Sequence, residues 1–93
     1  MNFTSGKNEL KRILNSHKIG ECTTEEETAF ITAFFRRYHP EWYIKTQGLM
    51  PVVTYKIKVE TEHEKPRRCF WLILENGAEE DIGYGRLHAH PVD

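Results

Sequence analysis

Cys69-Phe70-Trp71-Leu72-Ile73-Leu74 runs apolar without a break, Glu75 closes it, and Asn76-Gly77 separates it from Ala78-Glu79-Glu80-Asp81-Ile82. Phe70 to Leu74 puts apolar side chains on both faces, the pattern of a central strand covered on both sides. Asn76-Gly77 between two strand-like runs is a hairpin signal, because both central residues of the favoured two-residue turn need positive φ. Ile82 and Tyr84 then alternate with Asp81 and Gly83 in a last strand. Gly83 and Gly85 weaken that strand and mark a bulge within it.

Upstream of this hairpin, Val53, Tyr55, Ile57 and Val59 alternate with Thr54, Lys56, Lys58 and Glu60. The period is two, so one face is buried and the other wet. A charged loop with Pro66 spans Thr61 to Arg68, and Glu62 and Glu64 join Glu60 in balancing the nearby lysines.

The first half changes period to that of a helix. Thr24 with Glu27 reads as a capping box, and Glu25 and Glu26 suit the positive end of a helix dipole. Phe30, Ala33 and Phe34 share one helical face, widened by Ile31, Phe35 and Tyr38. Pro40 stops this helix, since a residue before proline is pushed out of the helical region. An earlier helix carries Leu10, Ile13 and Leu14 in one stripe, with Ser5 expected as its N-cap, and Gly20 suits the reversal after it. Met1 to Thr4 is expected as a short edge strand ending at Phe3. The order strand, helix, helix, three strands is an α+β signature. The expected fold is a three-stranded antiparallel meander with both helices on one face.

Composition sets the bounds. The chain has 93 residues, one domain's worth, with a core expected from Phe3 to Leu87 and a tail from His88 to Asp93. A chain this short buries roughly two-thirds of its unfolded surface, which leaves little room for a deep pocket. The net charge is -1, so any nucleic-acid surface must be local rather than a bulk property. Cys22 and Cys69 are expected as reduced thiols. No apolar run is long enough for a signal peptide or a membrane span, and the expected location is the cytoplasm.

The reactive residue types are scattered. His88 and His90 form at most half of a zinc site, and His17, His39, His63, Cys22 and Cys69 lack metal-ligand spacing; no metal or other cofactor is expected. Cys69 with His39 as base would need an exposed, electropositive thiol, yet Cys69 opens the most apolar run in the chain. Glu79, Glu80 and Asp81 fit an exposed hairpin arm whose charges guard an edge. A hydrolase would draw on His39, Glu80, Asp81, His88 and His90. No phosphate-binding glycine loop, nucleophile elbow or HExxH occurs.

The spaced landmarks resemble the DCL family, named for the plant "defective chloroplasts and leaves" protein. The residues that carry the resemblance are Phe3, Ser5, Glu9, Ile13 and Leu14, then His39-Pro40, Lys45 and Gly48, then Cys69-Phe70, Gly77, Glu80, Asp81, Tyr84 and Arg86. The chain departs from the pattern at Leu74, Asn76, Gly83 and Leu87, and at Thr46. What the resemblance implies is RNA metabolism without an established catalytic role. Plant members are linked to plastid ribosomal RNA processing, and a related domain is appended to plant RNA polymerase subunits. A stand-alone bacterial or viral member fits this chain best.

The expected function is accordingly a non-enzymatic RNA-associated binding domain, in ribosomal RNA processing or transcription. Lys45, Lys56, Lys58, Arg67, Arg68 and Arg86 are the expected nucleic-acid contacts. The alternative is an adaptor that docks on RNA polymerase or a ribosome-assembly factor. Trp42, Tyr43 and Tyr84 are the expected partner contacts, since such aromatics are enriched at interface hot spots.

Overall fold

In the computed structural model, which describes residues 2–61 and 65–90, the chain begins with a helix. α1 spans Phe3–Ser16, so the expected edge strand at Phe3 is absent. Asn2 outcompetes Ser5 as the cap: its side-chain oxygen accepts from the Ser5 backbone N–H at 2.8 Å. Phe3 turns inward, with its ring 5.9 Å from Phe34 and 5.0 Å from Tyr38. Gly6 faces the same ring so closely that an added Cβ would lie 2.0 Å from Phe34.

α2 spans Glu25–Tyr38 and opens with the full capping box. Glu27 also receives the His17 ring at 2.8 Å. Burial pushes the Glu27 carboxyl up, but the Thr24 N–H and His17 outweigh it and hold it below its ordinary value. Ile31, Phe34 and Phe35 are buried, whereas Ala33 faces outward. After Pro40 comes a single helical turn not foreseen from the sequence, α3 (Trp42–Lys45). Three successive residues with positive φ, Gln47, Gly48 and Leu49, then swing the chain toward the sheet.

The sheet is antiparallel in the order β1 (Val52–Glu60), β2 (Arg67–Leu74), β3 (Glu79–Ile82). Tyr55 and Ile57 of β1, Phe70, Leu72 and Leu74 of β2 and Ile82 of β3 are all buried. The rings of Phe35, Tyr55 and Phe70 meet pairwise at about 6 Å, at 6.1, 6.1 and 6.0 Å. Both long helices cover this face, α2 over β1 and α1 over β2.

The other face of β2 is not covered by helices. Trp71 and Ile73 are half-buried there, so the expected two-sided cover is corrected to one-sided. Val53 and Val59, expected inside, are 60% and 40% exposed. A bulge between Val52 and Thr54 turns Val53 out, and Val59 sits opposite Arg68 at the sheet's end. The hairpin also differs: only Gly77 has positive φ. Gly77 N–H donates to Leu74 and Leu74 N–H to Ala78, a three-residue loop ending in a left-handed glycine.

β3 stops at Ile82. Tyr84, expected in a last strand, instead belongs to a short 3₁₀ helix, Tyr84–Arg86. On the opposite edge, residues 20–23 run alongside β1. Gly20 and Thr23 N–H groups donate to Ile57 and Tyr55, and Ile57 N–H donates to Glu21. Cys22 is exposed, Cys69 is buried, and both are free. No helix among the described residues is long and apolar enough to cross a membrane. Met1, Glu62, His63, Glu64 and Pro91 to Asp93 lie outside the described residues, so the charge balance expected of Glu62 and Glu64, and the end of the expected tail, fall there.

Candidate functional site

β2 is twice the length of β3. The last register pair between them is Phe70 with Ile82, so Arg67, Arg68 and Cys69 extend past the end of β3. The chain leaves β3 through Gly83 and the 3₁₀ helix, which touches α1. The result is a cleft of about 740 Å³ between the end of α1, the turn after α2, the start of β2 and the 3₁₀ helix. The sequence reading left little room for such a hollow; the mismatch in strand lengths creates it at the surface.

Among the described residues, five cations line this cleft, Lys11, Lys45, Arg67, Arg68 and Arg86, with three carboxylates, Glu41, Glu60 and Asp81. Arg68 serves the fold. Its guanidinium donates to the carbonyls of Leu14 and His17 at the end of α1, a helix with no basic residue in its own last turn. Lys45 Nζ lies 3.2 Å from Asp81 and 3.7 Å from Glu80. Asp81 therefore finds its partner in Lys45. Arg86 reaches Glu41 at 3.1 Å with its side chain 75% exposed.

His39 closes α2 through its backbone N–H, which donates to Phe35 at 2.8 Å. Its side chain does not turn back to the last helical carbonyls. Instead Nδ1 accepts from the Glu41 N–H at 3.1 Å, and the ring packs edge-on against Phe35. Burial pushes its pKa below the ordinary value; Glu41 opposes this, and Lys45 and Arg86 reinforce it. A neutral ring with Nδ1 as acceptor carries its proton on Nε2, a tautomer assigned from this bonding pattern. Nε2 has no partner that meets full hydrogen-bond geometry; the Gly83 backbone is near enough to act on the ring as a hydrogen-bond acceptor and pulls its pKa up against the burial.

Cys69 is held as a thiol. Burial pushes its pKa up, with Trp71 pulling the other way, and Sγ lies 3.5 Å from the Lys58 carbonyl. Among the described residues no three His, Cys, Asp or Glu side chains are grouped to hold a metal. The cleft brings His39 and Asp81 to one place, but Glu80, His88 and His90 are not among its lining residues.

Of the residues expected to contact nucleic acid, Lys45, Arg67, Arg68 and Arg86 converge on the cleft, together with Tyr84. Lys56 and Lys58 stand on the open sheet face, where Lys58 Nζ lies 4.1 Å above the Trp71 ring and 3.2 Å from Glu79. Trp71 was not singled out from the sequence. Its signal was its place one residue from Phe70, hence on the opposite face, in register with Lys56. Trp42, expected at a partner surface, is only 6% exposed and stacks on Phe35. Tyr43 is exposed beside Ile44 and Leu49.

No curated protein and no solved structure matches the chain. A family profile described as "Protein of unknown function (DUF3223)" matches residues 11–86. That span holds every residue of the cleft and most of the chain, and this chain therefore belongs to the DUF3223 family.

Proposed function

We propose that this chain is a non-catalytic RNA-associated binding domain, acting in RNA processing or transcription, that holds a strand along the cleft. The observation that carries this reading is the gathering of Lys11, Lys45, Arg67 and Arg86 around Tyr84 in one hollow. The cations meet phosphates, and the half-buried Tyr84 ring offers a stacking surface for an unpaired base. The resemblance to the DCL family points the same way. Lys56, Lys58 and Trp71 on the open sheet face give a second basic and aromatic patch that a longer strand reaches. Phosphate contacts make affinity fall as salt rises. Titration with single-stranded and structured RNA at two salt concentrations tests the reading. Binding that weakens with salt, and that Arg86→Gln reduces, supports it. No binding to either RNA at low salt removes it.

A second reading has its own observation. Tyr43 and Ile44 on α3 are 66% and 71% exposed, and Leu49 beside them is 48% exposed. Such a patch suits an adaptor that docks on a polymerase or ribosome-assembly protein. A nuclease-treated affinity pull-down separates the two: partners that persist after treatment, and are lost with Ile44→Glu, favour the adaptor.

A further inference from the structure

His39 carries the one buried side-chain nitrogen or oxygen, among the described residues, that lacks a hydrogen-bond partner. The residue is 1% exposed. Its Nδ1 is fixed as an acceptor by the Glu41 N–H, so the orphan is a donor, Nε2–H. Buried N–H groups in folded proteins almost always have an acceptor; among the described residues the Gly83 backbone approaches this one and pulls the ring's pKa up, but makes no bond that meets full hydrogen-bond geometry. Glu41, Lys45, Arg86 and the Gly83 backbone all act on this ring, and all four line the cleft. A Cβ built on Gly83 or Gly85 meets nothing within 4 Å, so this wall is bare backbone beside open space.

A neutral N–H donor flanked by an ammonium and a guanidinium complements an oxygen-rich anion. Phosphate fits better than carboxylate, because it offers more oxygens to accept from three donors. Lys45 and Arg86 are now engaged with Asp81 and Glu41 in partly exposed pairs. The exposed Arg86 pair contributes little. Arg86 has most of its side chain in solvent.

We propose that His39 Nε2–H, Lys45 and Arg86 form a phosphate subsite at the base of the cleft, with His39 setting where the phosphate seats. The inference rests on the cleft reading above and names the group that the cleft grips most closely. The phosphate is either internal to an RNA strand or at its end.

The test is nitrogen-15 NMR of the His39 ring in the intact protein. The probes are inorganic phosphate and single-stranded oligoribonucleotides of one sequence, with a 5′-phosphate or a 5′-hydroxyl. A shift of the Nε2–H signal with both oligonucleotides supports a subsite for internal phosphates. A shift with inorganic phosphate and the 5′-phosphorylated strand alone supports one for a terminal phosphate. Oligonucleotides that move the cleft amides but leave Nε2–H unmoved overturn the subsite and keep the RNA reading. A shift with inorganic phosphate but binding of neither oligonucleotide keeps the subsite and removes RNA. No shift with any probe overturns both. Among variants, His39→Gln retains a donor near the Nε2 position and retains affinity. His39→Asn keeps only the acceptor near Nδ1 and loses about tenfold, the scale of one hydrogen bond to a charged group. The wild-type measurement stands even if neither variant folds.

Discussion

Phe70 and Trp71 are neighbours in the chain and opposites in environment. Phe70 is fully buried against Phe35 and Tyr55. Trp71 lies on the open face under the Lys58 ammonium. Two helices of 14 residues each are enough to cover one face of a three-stranded sheet. Among the described residues the other face is shielded by side chains, with Lys58 lying over the Trp71 ring. An apolar run in a strand therefore marks a central position without fixing how many faces are covered.

The largest way to test this contrast is truncation on either side of it. Phe70→Ala is expected to cost about 3–5 kcal/mol, the range for a buried aromatic, a large share of a small domain's stability. Trp71→Ala on the same strand is expected to cost no more than about half of that, because part of the ring is already in solvent. Urea unfolding of both variants checks the pair, and equal losses would show that the open face is packed as firmly as the covered one.

Gly6→Ala probes how closely the covering helix sits. Alanine favours a helix over glycine by about 1 kcal/mol, but here its Cβ meets the Phe34 ring. That ring is held by Phe3, Phe30 and Tyr38. Overpacking of about 1–3 kcal/mol is expected to win, and a raised melting temperature would show that Phe34 yields easily.

The join between core and cleft is sensitive to acid. The His39 pKa is lowered in the folded state from its ordinary 6.5. The unfolded chain therefore binds more protons as pH falls through and below 6.5, and stability falls with it. Glu27, depressed from 4.5, adds a separate loss below about that pH. Thermal melts between pH 7.5 and 5.5 are expected to show the first loss, and His39→Asn is expected to flatten it.

The smallest effect on the fold belongs to the cleft rim. Arg86→Gln breaks an exposed pair with Glu41, so its stability cost is expected to stay within about 1 kcal/mol while RNA affinity drops and its salt dependence becomes shallower. A folded variant that binds RNA unchanged places Arg86 outside the site, and one that unfolds shows that its pair with Glu41 holds the fold.

Periodicity was enough for the long elements. Thr24 and Glu27 marked the start of α2, His39-Pro40 its end, and Tyr55 and Ile57 the inner face of β1. What it missed depends on competition between local options. Asn2 and Ser5 are both good caps, and the choice between them follows from Phe3 finding Phe34. Asn76-Gly77 suits a two-residue turn, but the register of Leu74 with Ala78 admits one more residue. Trp42 carries a polar handle that suggests a surface, yet the turn at Pro40 points it at Phe35. The cleft had no local sign at all. Lys11, His39, Arg67 and Arg86 are far apart in the chain, and only the shortness of β3 brings them around one hollow.

The stretch from Gly20 to Thr23 lends the sheet a border without adding a strand to it. Its backbone bonds occupy the outer rim of β1 at Tyr55 and Ile57, and Val53 next to them is displaced by a bulge. On the far side, β3 offers a rim only four residues long, bearing Glu79 and Asp81. A second copy that tried to extend the sheet would meet occupied amides at one margin and negative charge at the other. Fibril growth by strand addition is thereby discouraged at both margins, even though the uncovered face of the sheet carries a tryptophan and an isoleucine.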